Sequence, residues 1–387
     1  MINLLVDGVF FQLNSTGIAR VWRSLLELLA VDDNIDVFFL DRGNAPQVRG
    51  VEYIPFPRYS EFNTATDSFL IQDVCDEFHI DVFTSSYYTT PVRTPMFLMV
   101  YDMIPELFCF DMSHREWMEK IISISYAQRY ICISENTRTD LLTIYPEIPS
   151  ESATVAHCGV DTAVFKLRSP AEIDSFRNRF GLVRPYFLFV GSRIQHNGYK
   201  NSDLFFNAIE GIHEGNFDIF CVGGEPVIED HVLKKLPPGV QCQRVELSDE
   251  ELSMAYSGAI ALVYPSLYEG FGMPVIEAMA SGCPVITTTH GSLAEAAGDA
   301  ACLIGGDSIA EMREAIHSVQ DEHVGAALRQ KGLRHAENFR WSAMKSVLVD
   351  EMTQLLAESR AGKYRAFINE WARLRQIQAN VDFEHCR

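Results

Sequence analysis

The stretch Tyr264–Ile286, YPSLYEGFGMPVIEAMASGCPVI, decides how the rest of the chain is read. Just upstream, Ala259 to Tyr264 is an apolar run of strand length, which Pro265 and Ser266 bring to an end. Pro274 suits the first turn of a helix, where a missing N–H leaves nothing unpaired, and Gly282 suits the position just past a helix end. The pattern predicts a strand, a loop and a helix of about two turns. In the loop, Gly270, Phe271 and Gly272 let the backbone come close to a ligand, because two of the three have no Cβ. The amides of Gly270 to Met273, at the positive end of the helix, then make a place for an anion. Glu269 and Glu277 flank that place. Carboxylates repel phosphate but accept hydrogen bonds from uncharged hydroxyls, so the set fits a ligand with phosphates in the middle and diols on both sides. A nucleotide sugar has that chemistry.

The same residues resemble the signature of the retaining glycosyltransferases of family 4, Glu-x7-Glu inside EGFG-x-P-x-x-E-A-M-A-x-G-x-P-V. Here it reads Glu269-Gly270-Phe271-Gly272-Met273-Pro274, Glu277-Ala278-Met279-Ala280, Gly282, Pro284 and Val285. Glu295–Ala301, EAAGDAA, resembles the family's E-V-A-G-D-A-A segment. The resemblance implies two doubly wound Rossmann-like domains facing across a cleft, the GT-B type. It also implies transfer of a sugar from a nucleotide diphosphate sugar with retention of anomeric configuration.

Length and charge bound the rest. The 387 residues suffice for two domains, each with its own core. A net charge of −20 argues against nucleic acid as the main partner, since a duplex would meet long-range repulsion. No block of consecutive Lys and Arg offsets it, so no polybasic membrane patch is visible in the sequence. The nine cysteines are an odd number without a C-x-x-C pair and read as reduced core residues of a cytoplasmic protein. Met1 to Val6 meets Asp7 at once and reads as a strand rather than a leader, and no apolar run reaches membrane-spanning length. The eleven histidines show no metal-ligand spacing, so no metal is expected.

Apolar strands alternate with amphipathic helices along the whole chain, which predicts α/β architecture with parallel sheets covered on both faces. Strands are expected at Ile2–Val6, Val37–Leu40, Asp81–Thr84, Met96–Val100 and Arg129–Ile133, with Ser134 capping a helix over Glu135–Ile144. After a helix and linker within Lys166–Arg184, a second series starts at Tyr186, with a helix from Asn201 to Ile212 capped by Asn201 or Ser202. Late helices begin near Ser308, His323 and Ser342, the last with Met344, Val347, Leu348, Met352 and Leu355 on its apolar side. The expected domains are 1–168 on the acceptor side, 169–362 on the donor side, and a helical tail, 363–387, crossing back to the first domain.

Further site residues come from strand ends. Gly17, in Ser15-Thr16-Gly17-Ile18-Ala19-Arg20, opens a helix and resembles the family's T-G-I-G-R loop over the donor phosphates. The G-x-G-x-x-G spacing of nicotinamide enzymes is absent. Tyr101-Asp102-Met103-Ile104-Pro105 resembles H-D-x-x-P, with Tyr101 where the family has a histidine that contacts the donor sugar. A phenol donates a hydrogen bond but is a poor proton shuttle near neutral pH. Asp102 either orients a hydroxyl or caps its own loop. Ser85 to Tyr88, ending another strand, lines the acceptor side or only packs. Arg193 and Lys200 match the family's G-R-x5-K diphosphate loop, here one residue longer, and Val245 lies in the segment where relatives hold the base.

Taken together, Glu269, Arg193, Lys200, Tyr101 and Asp102 are the expected catalytic residues. Gly17, Val245, Gly270, Phe271, Gly272, Met273 and Glu277 are the expected donor-binding set. The resemblance implies a GDP- or UDP-sugar donor, GDP-mannose favoured, and a glycan or lipid-linked acceptor, with peripheral contact at the inner face of a membrane. No cofactor or metal is expected beyond the nucleotide sugar itself. Two other readings stay open: a nucleotide-sugar-binding subunit that has lost catalysis, and a nucleotide-sugar epimerase.

Overall fold

The computed structural model describes residues 1–14, 17–59, 64–193, 198–212 and 215–385. It falls into two compact units, Met1–His157 with Trp341–Arg387, and Cys158–Arg340.

The first unit carries β1 Ile2–Asp7, β2 Ile35–Asp41, β3 Val51–Pro55, β4 Val82–Ser85, β5 Phe97–Val100, β6 Arg129–Cys132 and β7 Ala153–Val155. They lie in the order β3-β2-β1-β4 and β5-β6-β7, all parallel, and a parallel bridge between Phe83 and Met96 joins the two sets. β4, β5 and β6 are buried at every position, as strands covered on both faces must be. Leu5, Phe83, Met96, Leu98, Ile124, Tyr126 and Leu141 form the core. Ser134 caps the helix Glu135–Ile144, its Oγ accepting from the Thr137 amide at 3.0 Å.

The second unit carries β8 Tyr186–Val190, β9 Asp218–Val222, β10 Cys242–Val245, β11 Ala261–Tyr264, β12 Val285–Thr288 and β13 Cys302–Ile304. Their order is β10-β9-β8-β11-β12-β13, again all parallel. The chain starts in the middle, builds outward to β10, then returns to β11 on the other side of β8. That reversal is the doubly wound topology. Phe187, Phe205, Phe217, Ile219, Val263, Ile286 and Met312 fill the core.

The unit boundaries differ from the expected 168/169 and 362/363. Residues near the expected linker already belong to the second unit: Phe165 stacks near Tyr256, the Lys166 amide donates to Ser253 Oγ at 3.3 Å, and Ser169 and Glu172 form a capping box on the helix Pro170–Phe180. At the other end, the helix Trp341–Arg360 buries Met344, Leu348, Met352 and Leu355 against the first unit, packing on the helix Gly17–Leu29 and on β5 and β6. Glu351 on it accepts from Thr154 at 2.6 Å and pairs with Arg129 at 3.4 Å. The following helix, Arg365–His385, lies against the helix Thr64–Glu77.

Candidate functional site

In a doubly wound sheet the loops that leave the strands on either side of the reversal part from each other and open a crevice at the carboxyl ends of the strands. In the second unit those are the loops after β8 and β11. They are fastened together: the Leu267 amide donates to the Tyr199 carbonyl at 2.7 Å, and the Asn201 amide group donates to Pro265 at 3.1 Å and Gly306 at 2.7 Å. Of the two expected caps, Asn201 takes the left-handed conformation, φ 52°, and bridges loops, and Ser202 Oγ donates to the Arg193 carbonyl at 2.6 Å, so the helix Ser202–Ile209, shorter than the expected 201–212, has no side-chain cap.

At this junction Lys200 Nζ lies 2.7 Å from Glu269 Oε1. The ammonium also faces the Tyr199 and Tyr264 rings at 5.1 and 5.7 Å. Burial works against its charge, but the Glu269 carboxylate more than offsets this and holds Lys200 well above the ordinary lysine range. Tyr264 is pushed upward by burial and by the same carboxylate. Ser292 fixes the glutamate's backbone by donating to the Glu269 carbonyl at 2.7 Å.

The loop then turns into the helix Met273–Ala280. Gly272 enters it at φ 100°, a conformation that favours glycine, and a Cβ there would press on the Leu293 side chain at 2.9 Å. Gly282 ends the helix at φ 69°, with the Gly282 and Cys283 amides closing onto Met279 and Ala278 at 3.0 and 2.8 Å. Gly270 and Met273 are partly exposed at the helix's amino end. Phe271 is buried edge-on against Phe339 at 5.5 Å, so its side chain anchors the loop and only its backbone is left for a ligand. Glu277 is buried in the same helix, close enough to Cys158 to add to the burial that pushes this thiol up to about 12. Val245 ends β10, half-buried, its carbonyl accepting from Gly223 at 2.9 Å. A cation, helix-end amides and two carboxylates thus share one unit and one end of its sheet.

Arg193 is not on that surface. Its guanidinium is 0% exposed and holds the loop after β9, donating to Glu229 at 3.2 Å and to the Glu225 and Val227 carbonyls at 2.8 and 3.0 Å. The Arg193 amide donates to the Glu225 carboxylate at 2.7 Å. Where a diphosphate contact is expected, the structure has an internal clamp. Residues 194–197 of the same loop lie outside the described residues.

In the first unit, Tyr101 is also turned inward. Its hydroxyl accepts from the Trp22 indole at 2.6 Å and donates to the Ser86 carbonyl at 3.4 Å, so it ties the helix Gly17–Leu29 to the ends of β4 and β5 rather than standing open to a sugar. Asp102 caps its own loop, accepting from the Ile104 amide at 2.9 Å. Gly17 begins its helix as expected, while Ser15 and Thr16 lie outside the described residues. A buried ion network passed unnoticed in the sequence: Asp7 accepts from Arg42 at 2.8 Å through both oxygens and from Thr89 at 2.6 Å, and Arg42 also pairs with Asp67. Asp7 directly follows an apolar strand, which was the available signal. Among the described residues no group of three or more His, Cys, Asp or Glu could hold a metal ion.

Residues 184–322 match the family model described as glycosyl transferases group 1. That span contains the whole Lys200–Glu269–Met273 junction. Among curated relatives, the O-antigen chain mannosyltransferase B of Escherichia coli is 25% identical over 235 residues, 58% of this chain and 61% of that protein. The chain spans 55 to 61% of the length of the first curated relatives it matches. Among solved structures, sucrose-phosphate synthase from Thermosynechococcus elongatus matches with TM-score 0.72 and 18% identity, over 92% of this chain and 100% of that one. Anabaena Alr3699/HepE in complex with UDP and glucose matches with TM-score 0.71 and 17% identity, over 92% and 100%. The fold is that of the GT-B glycosyltransferases.

Proposed function

We propose that the chain transfers a sugar from a nucleotide diphosphate sugar to a hydroxyl of a glycan or lipid-linked acceptor, with retention and without a metal ion or further cofactor. The observation that carries this reading is the Lys200–Glu269 pair at the strand-order reversal, next to the partly exposed amino end of the helix Met273–Ala280. Breaking the bond to the nucleotide builds negative charge on the leaving diphosphate, and a preorganised cation with backbone amides answers it. Lys200 supplies the cation, half-buried and kept protonated by Glu269. Glu269 releases it to the diphosphate and accepts from the sugar hydroxyls. Glu277 takes the ribose diol, and the end of β10 at Val245 faces the base.

Relatives support the donor class: a mannosyltransferase among the curated proteins, and a neighbour whose complex holds UDP and glucose. A GDP- or UDP-sugar is the donor we infer, GDP-mannose favoured. The locked state of Arg193 and Tyr101 favours one competing reading, a subunit that binds nucleotide sugar without turning it over.

Product analysis separates them. A transferase releases nucleotide diphosphate only when acceptor is present, and does so after exhaustive chelation; a binding subunit releases none. Calorimetry with UDP-, GDP- and ADP-sugars tests the site itself. Glu277→Gln keeps the side chain's size but loses a charge-assisted acceptor, so donor affinity should weaken by roughly 1.5 to 3 kcal/mol. A variant that binds like the parent moves the ribose elsewhere.

A further inference from the structure

The loop 269–272 is braced from two sides, and one histidine touches both braces. On one side stands the short helix Leu293–Ala297. Ser292, just before it, donates to the Glu269 carbonyl at 2.7 Å. Gly272 lies bare against the same helix, where a Cβ would come 2.9 Å from Leu293 Cδ2 and 3.8 Å from Ala296 Cβ. On the other side is the turn that ends the helix Glu322–Ala336, closed by the Phe339 amide on the Ala336 carbonyl at 3.1 Å. This turn sets Phe339 edge-on to Phe271, 5.5 Å between ring centres.

His335 sits in the last turn of the helix Glu322–Ala336 and reaches across to the first brace. A carbonyl only accepts, so it is Nε2–H of the imidazole that donates to the Ala296 carbonyl at 3.1 Å. Gly298 makes room for the ring, since a Cβ there would come 2.6 Å from His335 Cε1. The same imidazole meets the Phe339 ring edge-on at 5.2 Å. The helix that carries it packs on the helix Met273–Ala280, whose amino end is the place for the anion.

A filled core would need only apolar volume at these positions. The structure instead has a hydrogen-bonding ring that is half-buried, seated on a glycine and tied to both supports of one loop. That loop has reason to be held. Two of its four residues are glycines, which leave the free chain wide conformational freedom. Backbone amides stabilise developing charge only when they are fixed where it appears, and a misplacement of about 1 Å costs on the order of a hundredfold in rate.

We propose that His335 and Phe339 are positioning residues of the nucleotide-sugar site: they fix the backbone of residues 269–272, and with it the amides that answer the diphosphate, without touching the donor. This rests on the donor reading above. Amide hydrogen exchange of the ligand-free full chain reads the bracing by itself. In the parent, the Leu267 and Val275 amides donate to the Tyr199 and Gly272 carbonyls at 2.7 and 2.9 Å. In His335→Ala the segment 267–275 should exchange roughly tenfold faster, while the core strand Tyr186–Val190 keeps its protection. Calorimetry of the same variant with UDP and GDP should show the binding of the parent's preferred nucleotide weakened by about three- to tenfold. His335→Gln, which keeps an N–H donor for the Ala296 carbonyl, should regain part of that loss. Phe271→Leu and Phe339→Leu should each weaken binding, and the double variant should bind no worse than the weaker single, because one ring acts through the other. Parental exchange in His335→Ala overturns the proposal, and so do additive losses in the phenylalanine cycle. A parent that binds neither nucleotide, together with a loosened loop in His335→Ala, removes the donor reading and leaves the bracing in place.

Discussion

Lys200 and Glu269 are 69 positions apart, and their 2.7 Å contact turns a surface-type lysine into a fixed, half-buried cation. The sign of its pKa displacement yields a prediction. A base whose folded pKa is raised keeps its charge, and the stability that goes with it, below the ordinary lysine value of about 10.4, and loses both only as pH rises through the higher folded value. The rate profile between about pH 6 and 9 should therefore show no ionisation from Lys200. Lys200→Ala should lower kcat/KM by about 2.7 to 4 kcal/mol in transition-state terms, at every pH in that range. Steady-state kinetics of both proteins would show it, and parental kcat/KM in the variant would remove Lys200 from the chemistry. The identity of this lysine was legible in the sequence, but its partner was not. The sequence marks Glu269 as a catalytic residue and sugar acceptor but not as this lysine's partner, because ion pairing across 69 residues is a property of the sheet. Tyr101 is a similar case: its neighbour Trp22 comes from a distant helix, and no local pattern announces an indole donor 2.6 Å from the hydroxyl.

Elements were more legible than contacts, since strands such as Tyr186–Val190 and helices such as Glu135–Ile144 declare themselves by apolar runs and by a capping serine. Less legible is β3, Val51–Pro55, an edge strand that is half exposed throughout and ends in proline, so neither burial nor alternation marks it. The loop after β9 carries the glycine pair Gly223-Gly224. Gly224 lies there at φ 68°, where a Cβ would come 2.3 Å from the Gly191 carbonyl oxygen, so the loops after β8 and β9 touch backbone to backbone. Arg193 locks them from the other side through Glu225 and Glu229. Arg193→Ala removes the cation that Glu229 and Glu225 face, leaving Glu225 only its bonds from Ser192 and the residue-193 amide, and should destabilise the second unit by about 3 to 5 kcal/mol. Thermal unfolding would register a loss on that scale even without ligand. A variant that melts like the parent yet binds donor poorly would return Arg193 to the phosphate role the sequence proposed for it.

At the scale of the chain, one long element is shared by both ends of the sequence: the helix Trp341–Arg360 completes the unit that begins at Met1, and no composition shift near residue 340 foretells it. The closing helices also place charge in the first unit's interior, with a consequence for acid stability. Glu119, beside Arg115 and within reach of Arg375, is raised to about 7, because burial outweighs both guanidinium groups. Its proton is held more tightly in the folded state, so between about 4.5 and about 7 the unfolded chain binds fewer protons and stability falls as pH rises. Glu358 acts in the opposite sense. Burial works against its charge, but bonds from Tyr364, Lys363 and Arg129 hold it at about 2, so its contribution is present above 4.5 and lost as pH falls toward 2. The two windows meet near 4.5, and only the upper one should vanish in Glu119→Gln. Melting temperatures of parent and variant from about pH 4.5 to 7.5 should therefore diverge in slope, the parent losing up to about 3 kcal/mol more across the range. The slope, not the absolute stability, is the decisive reading, because a buried amide changes packing and pairing at every pH alike. Parallel slopes would mean that Glu119 is ionised throughout, held by Arg115 and Arg375 despite its burial.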